Sequence, residues 1–365
     1  MVLRINIALL AGLFVITSGA ITSAQMTPDQ DARQIDRQTS QFLGRGMLAE
    51  GLDSARRALA LRERTLGSCH PELSSRINEI AMIEQDLGRY TASEADFYRA
   101  LAIAEKAHGA DHAEVATIWN NIAELYYAQS RFTAAENTHR RAIAIREKLD
   151  HPDLAQSLNN LAGMYARQEK YANAEATYLR AVAHRERLLG INHPDVAKVL
   201  NNLALMYSHQ KRFDESERLN LRCLAIYERA LGQDHPEVGI QLNNLAGVYR
   251  DSGRRIEAEQ QYLRSIKVLE ARMGADSPFI STMLENLASL LEEEGRYGEA
   301  EKLYRRAIAA LDKPPFDGSP DMALALKNLA LLLQKRGLDS DAEPLLRRAQ
   351  SIEDALKASS PDSRK

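Results

Sequence analysis

An all-α fold, a right-handed α-solenoid of about eight helical hairpins, is what this 365-residue sequence predicts, and three observations carry the prediction. The tetrapeptide Asn-Asn-Leu-Ala recurs at Asn159, Asn201 and Asn243, in steps of 42 residues. Within one unit, Leu154, Leu158, Leu161, Ala162 and Tyr165 stand at the spacing of a single apolar helical face. Two columns of the second helix stay small throughout: Gly51, Ser93, Ala135, Ala174, Ser216, Ala258, Ala300, Ala342, and Ala58, Ala100, Ala142, Ala181, Cys223, Ser265, Ala307, Ala349. Close helix contact requires this, because larger side chains would hold the backbones apart. A lone hairpin cannot bury both sides of such helices, so the units must stack on one another.

Taken in order, residues 1–24 read as a secretory signal. Arg4 precedes an apolar run over 7–16, and Thr22, Ser23 and Ala24 offer a small-residue cleavage site before Gln25. The apolar run is short for a membrane span of about 20 residues; counting through Thr17, Ser18, Gly19 and Thr22 leaves an uncleaved anchor as the alternative, and a membrane association only in that case. Export to a periplasm or the exterior follows. Residues 25–69 form a degenerate N-terminal capping repeat, in which 29–44 offers only Ile35, Phe42 and Leu43 as strong apolar residues. The tandem array occupies 70–359, divided at about 70–111, 112–150, 151–192, 193–234, 235–276, 277–318 and 319–359, and 360–365 is a tail. One unit is 39 residues long because three are missing between 148 and 151, where loops tolerate deletion.

Each unit divides into helix A and helix B. Pro71, Pro152, Pro194, Pro236, Pro278 and Pro320 are placed as first residues of helix A, where a missing N–H costs nothing. Glycines such as Gly88 and Gly295 suit the left-handed end of that helix. His70, His112, His151, His193 and His235 precede the helix starts and serve the turn; stacked helices about 8–10 Å apart cannot bring such a column onto one metal ion.

Composition narrows the function. A net charge of −3 lacks the basic excess of a nucleic-acid binder. Hydrophobic residues at 45% suffice for a core, while 19 glycines and 11 prolines are too few for a loop-rich fold. Cys69 and Cys223 lie several units apart and are expected as free thiols. No His-Glu-x-x-His, Gly-x-Ser-x-Gly or phosphate-loop motif is present, and the repeats consume nearly the whole chain. We expect no enzyme, cofactor, metal or small-molecule substrate.

These residues resemble the tetratricopeptide repeat, and the 42-residue length with its His-Pro, Asn-Asn-Leu-Ala and Gly-Arg-Tyr elements is similar to the kinesin-light-chain variety, over about 71–349. The family's usual helix A tryptophan is present once, at Trp119, with leucine at Leu158, Leu200, Leu242, Leu284 and Leu326. The resemblance implies a binding scaffold whose helix A stripe faces the concave side. That stripe reads Thr117, Asn121, Glu124, Ala128; Gln156, Asn160, Gly163, Arg167; Lys198, Asn202, Leu205, His209; Ile240, Asn244, Gly247, Asp251; Thr282, Asn286, Ser289, Glu293; and Leu324, Asn328, Leu331, Lys335.

Only the asparagine is constant. An amide offers donor and acceptor, so a ladder of Asn121, Asn160, Asn202, Asn244, Asn286 and Asn328 can pair with an extended peptide backbone whatever its side chains, as the resemblance implies. The same amides can instead bridge neighbouring helices, and for the adjacent Asn120, Asn159, Asn201 and Asn243 that reading is stronger. Arg167, Lys198 and His209 precede Asp251, Glu292 and Glu293, a polarity that would orient a peptide with its acidic residues toward the former. Leu324 and Leu331 suggest cover by the end of the chain. The Arg column (Arg57, Arg99, Arg141, Arg180, Arg222, Arg264, Arg306, Arg348) and the Glu column (Glu94, Glu136, Glu175, Glu217, Glu259, Glu301, Glu343) read as ion pairs between helices. The partner is a protein or peptide of unknown identity; self-assembly into a homo-oligomer through end units or the convex face is the alternative.

Overall fold

The computed structural model describes residues 28–359; the segment read as an export signal and the tail at 360–365 lie outside them. The described residues form eight helical hairpins: α1 (Pro28–Gly44) with α2 (Leu48–Leu66), α3 (Leu73–Asp86) with α4 (Tyr90–His108), α5 (Ala113–Ala128) with α6 (Phe132–Lys148), α7 (Leu154–Arg167) with α8 (Tyr171–Leu189), α9 (Pro194–His209) with α10 (Phe213–Leu231), α11 (Pro236–Asp251) with α12 (Arg255–Met273), α13 (Ser281–Glu293) with α14 (Tyr297–Leu311), and α15 (Pro320–Lys335) with α16 (Asp339–Ser359). Each helix packs on its sequence neighbours, and α3 on α5, α7 on α9 and α11 on α13 one unit apart. One apolar cluster runs from Leu52 to Ala342. The leading segment expected as a polar cap is a complete helix, α1, with Ala32 and Thr39 buried against α2.

The small columns lie at the helix seams and are buried from Ala58 to Ala349. Their polar members are satisfied across the seam: Ser93 Oγ donates to Ala81 C=O at 2.7 Å, Ser216 to Ala204 at 2.8 Å, and Ser265 to Gly239 at 2.6 Å. Cys223 Sγ donates to Ala197 C=O at 3.3 Å. This is why serine and cysteine substitute for alanine there: each hydrogen can reach a helix carbonyl without adding bulk.

The charged columns join one unit to the next. Glu94 accepts from Tyr126 Oη at 2.9 Å and Arg131 at 3.0 Å, and the Arg131 guanidinium lies 4.0 Å over the Tyr126 ring. Glu217 repeats this with Tyr249 and Arg254, and Glu175 and Glu259 take Arg212 and Arg296. From the Arg column, Arg99, Arg264 and Arg306 reach Glu63, Glu228 and Glu270, each at 2.5 Å, while Arg141 covers Trp119 instead.

The five histidines turn Nδ1 to accept the backbone N–H two residues onward at 3.1–3.3 Å; His112, His193 and His235 thereby N-cap α5, α9 and α11, while His70 and His151 close the turn ahead of α3 and α7. Pro194, Pro236 and Pro320 open their helices as expected. Pro71 and Pro152 instead stand in turns two residues ahead of α3 and α7, and Pro278 opens a 3₁₀ turn before α13. At the first two, i→i−3 bonds from Leu73 to His70 and Leu154 to His151, both 3.0 Å, tighten the entry before the α pattern begins.

Candidate binding groove

The A helices carry the asparagine column as one row. Asn121 Nδ2 donates to Asn78 Oδ1 at 2.9 Å, Asn202 to Asn159 at 2.9 Å, Asn244 to Asn201 at 3.0 Å, and Asn286 to Asn243 at 2.9 Å. Asn328 donates to Glu285 Oε2 at 2.8 Å, a carboxylate standing in the acceptor position. Each bond uses one N–H of the constant asparagine and leaves its Oδ1 and second N–H uncommitted by that rung.

One rung is missing. The shortened unit ends α6 after 17 residues, two fewer than α4 or α8. Asn120, which would accept from Asn160, is buried and instead accepts from Ser157 Oγ at 3.2 Å. Arg146 fills the tightened junction: its guanidinium donates to Ser157 Oγ, to Thr117 Oγ1 at 3.0 Å and to Asp153 C=O at 3.3 Å. Burial lowers its pKa from the usual guanidinium value. Asn160 is left to accept from Gln156 Nε2 at 2.7 Å and to hydrogen-bond Glu124.

At this gap lies a cavity of about 820 Å³, bounded by α5, α7 and α9. Glu124, Asn160, Gly163, Arg167, Asn202, Leu205 and His209, all from the helix A stripe, line it. Helix B contributes His139 and Tyr178 beneath. His139 is 1% exposed, its Nε2 is 3.6 Å from Glu124 Oε1, and its Nδ1 has no partner. Burial pushes its imidazole down to about 4 and, with Asn160 and Arg167 opposing, raises the Glu124 carboxyl. The Arg167 guanidinium stands 5.8 Å from the centre of the Tyr127 ring.

Farther along, Asn201, Asn243, Asn244 and Asn286 line a second cavity of about 320 Å³, and Asn286 and Asn328 a fourth of about 220 Å³ that also holds Glu285. Burial pushes the Glu285 carboxyl up to about 7. The expected basic cluster is divided: Arg167 and His209 share the large cavity, while Lys198 pairs with Asp195 at 2.8 Å beside a separate cavity of about 220 Å³. Leu324 and Leu331, expected under the chain's end, are 55% and 53% exposed among the described residues; α16 packs on the other side of α15, in the seam where Ala349 meets Leu326 and Met322.

His139 and Tyr178 were not singled out by the sequence as site residues. The signal that finds them is a fifteen-residue spacing. Glu124 with His139, Gly163 with Tyr178, Leu205 with Asn220, Gly247 with Tyr262, and Ser289 with Tyr304 each line a common cavity. A Cβ on Gly163 would stand 3.5 Å from Tyr178 Oη, so the absent side chain leaves that hydroxyl uncovered.

Stacked two-helix units with a continuous row of side chains along one set of helices define a helical-repeat scaffold. The chain belongs to the tetratricopeptide repeat family, whose model matches residues 73–148, 153–229, 195–271, 237–313 and 279–353. Proteins of this family generally serve as protein-binding scaffolds rather than as enzymes. Among solved structures, BtubC (BKLC) from P. vanneervenii is 20% identical, with 63% of this chain and 94% of that one covered and a TM-score of 0.54. A putative kinesin light chain of Podosopora anserina with TPR-like repeats is 22% identical over 57% of this chain and 99% of its own, at 0.48. A signal-transduction ATPase with a tetratricopeptide repeat sensor from Pyrococcus horikoshii is 14% identical over 90% of this chain and 49% of its own, at 0.55. At these identities the likeness to the first and third of these establishes the fold alone. No curated protein matches the chain.

Proposed function

We propose that this chain is an exported scaffold that captures an extended segment of a protein or peptide partner along its A helices. The amide ladder holds the segment's backbone, and the variable neighbours, Arg167, Lys198 and His209 among them, select its sequence. The observation that carries the reading is that the constant asparagines Asn160, Asn202, Asn244, Asn286 and Asn328 all line cavities, the last four while keeping hydrogen-bonding capacity beyond the rung. Bridging between units then presents the amides rather than competing with a ligand for them.

Selection of a randomised peptide display library on the purified protein tests this. Enriched peptides should lose about tenfold or more in affinity for the variant carrying Asn202→Ala, Asn244→Ala and Asn286→Ala, a loss of about 1.4 kcal/mol. Unchanged affinities in that variant, with its helical circular dichroism intact, would refute groove capture. For export, N-terminal sequencing of protein from the extracytoplasmic fraction should begin at Gln25; an intact Met1 there would point to the anchor instead.

A further inference from the structure

The cavity at the missing rung is lined by carboxylates without a cationic partner. His139 Nε2 faces the Glu124 carboxylate at 3.6 Å, and its buried Nδ1 has no partner. Glu124 receives the Asn160 amide, yet among the described residues no lysine or arginine lies within ion-pair distance of it. Glu169 adds a second carboxylate at the rim. Against these stands one guanidinium, Arg167, which is exposed and rests over the Tyr127 ring without an ion-pair partner.

We infer that this cavity admits one basic side chain, lysine or arginine, from the bound peptide, a reading that rests on peptide capture in the groove. An arriving ammonium or guanidinium supplies the cationic donor that Glu124 lacks, and the Tyr127 ring face adds a cation–π contact. An acidic side chain would instead bring a third carboxylate beside Glu124 and Glu169. Burial keeps His139 neutral, so it does not offset that repulsion. Arg167 already shows that a guanidinium can lie over Tyr127; it is held there by the ring and by through-space attraction to Glu124 without a direct ion pair, so an incoming base can displace it to solvent. Arg167 therefore selects by competing for the position. The fifteen-residue pairing makes this specific to one unit, since the next units place Gly163 with Tyr178 and Leu205 with Asn220, where no carboxylate stands in the stripe.

The same display library decides the matter. Enriched peptides should share a lysine or arginine at one position. Replacing that residue by citrulline, or Glu124 by glutamine, should each weaken binding about tenfold, and Glu124→Gln should leave the citrulline peptide's affinity unchanged. Arg167→Ala should tighten binding of the basic peptide. Enrichment of acidic or apolar residues at the position, equal binding of the arginine and citrulline peptides, or weaker binding by Arg167→Ala would overturn this inference while groove capture stands. A library that yields no enriched peptide removes both.

Discussion

From α9 to α14 the molecule repeats itself: two asparagine rungs in succession, glycine at the turns after α11 and α13, and seams closed by alanine, serine or cysteine. From α5 to α9 the same units enclose a cavity of about 820 Å³, a buried guanidinium and a buried imidazole with an unpaired nitrogen. The two regions share composition, helix faces and inter-unit clamps. The difference that reaches the amide row is three residues of loop. Removing them draws α7 toward the end of α6, so that Ser157 rather than Asn160 meets Asn120, and the row of amides opens at one place. A repeat array thus creates a singular site without a new domain, by changing the register of one junction.

The sharpest break of the comparison is to crowd a seam and a groove position in turn. Ala258→Leu places a large side chain where Ala258 has no exposed surface, and should cost about 3 kcal/mol, read as a lowered urea midpoint. Gly163→Leu, facing the cavity, should change that midpoint by under about 0.5 kcal/mol while abolishing peptide binding. Equal destabilisation by the two would mean that the cavity is itself a packed seam.

The next effect is acid sensitivity at the gap. The unfolded imidazole takes up its proton near 6.5 and His139 in the fold near 4. Between these values the unfolded state binds more protons, so stability is whole above about pH 6.5 and is lost as pH falls through about 4. His139→Phe, the residue type at the equivalent Phe97, should remove about 2 kcal/mol of the loss expected at pH 5. Urea titrations at pH 5 and 7 check this; a wild-type curve as steep in the variant would place the acid sensitivity elsewhere.

The regular region should slope the other way. Glu285 holds its proton in the fold up to about 7, against 4.5 for an ordinary glutamate, so its contribution is most favourable below 4.5 and declines as pH rises to 7. Glu285→Gln keeps an acceptor for Asn328 without a charge and should gain about 1 kcal/mol at pH 8, allowing for the partial exposure of the group, and nothing at pH 4. Thermal melts at the two pH values separate these outcomes.

What the sequence made legible follows periodicity. The 42-residue step, the small columns, the histidine caps and the charge pairs each recur, so one correct register places them all. The amide column was legible as a column but not as a set of rungs, because donor and acceptor come from different positions, 43 residues apart. Least legible was the gap. Three missing residues at a loop are a tolerated change by general rule, and only the packing of Arg146, Ser157 and Asn120 shows that the deletion reaches the groove. Leu324 and Leu331 illustrate the same limit: their apolar character suggested cover, whereas among the described residues their position on the helix A stripe leaves them exposed.

The smallest effect bears on the turns that end the A helices. After α11, α13 and α15 the left-handed residue is Gly253, Gly295 or Gly337; after α5, α7 and α9 it is Ser130, Glu169 or Lys211, with φ of 58°, 59° and 59°. Those three helices are the ones that bound the cavity. A side chain in that conformation costs roughly 1–2 kcal/mol, and glycine's greater unfolded-state freedom offsets about 0.5–1 kcal/mol of any relief. Lys211→Gly and Ser130→Gly should therefore each gain about 0.5 kcal/mol, and Gly253→Ala should lose about 1 kcal/mol. If the two gains appear and the selected peptides bind unchanged, the strain is simply tolerated beside the gap. If stability rises while binding weakens, the strained turns help hold α5, α7 and α9 in the arrangement that keeps the cavity open.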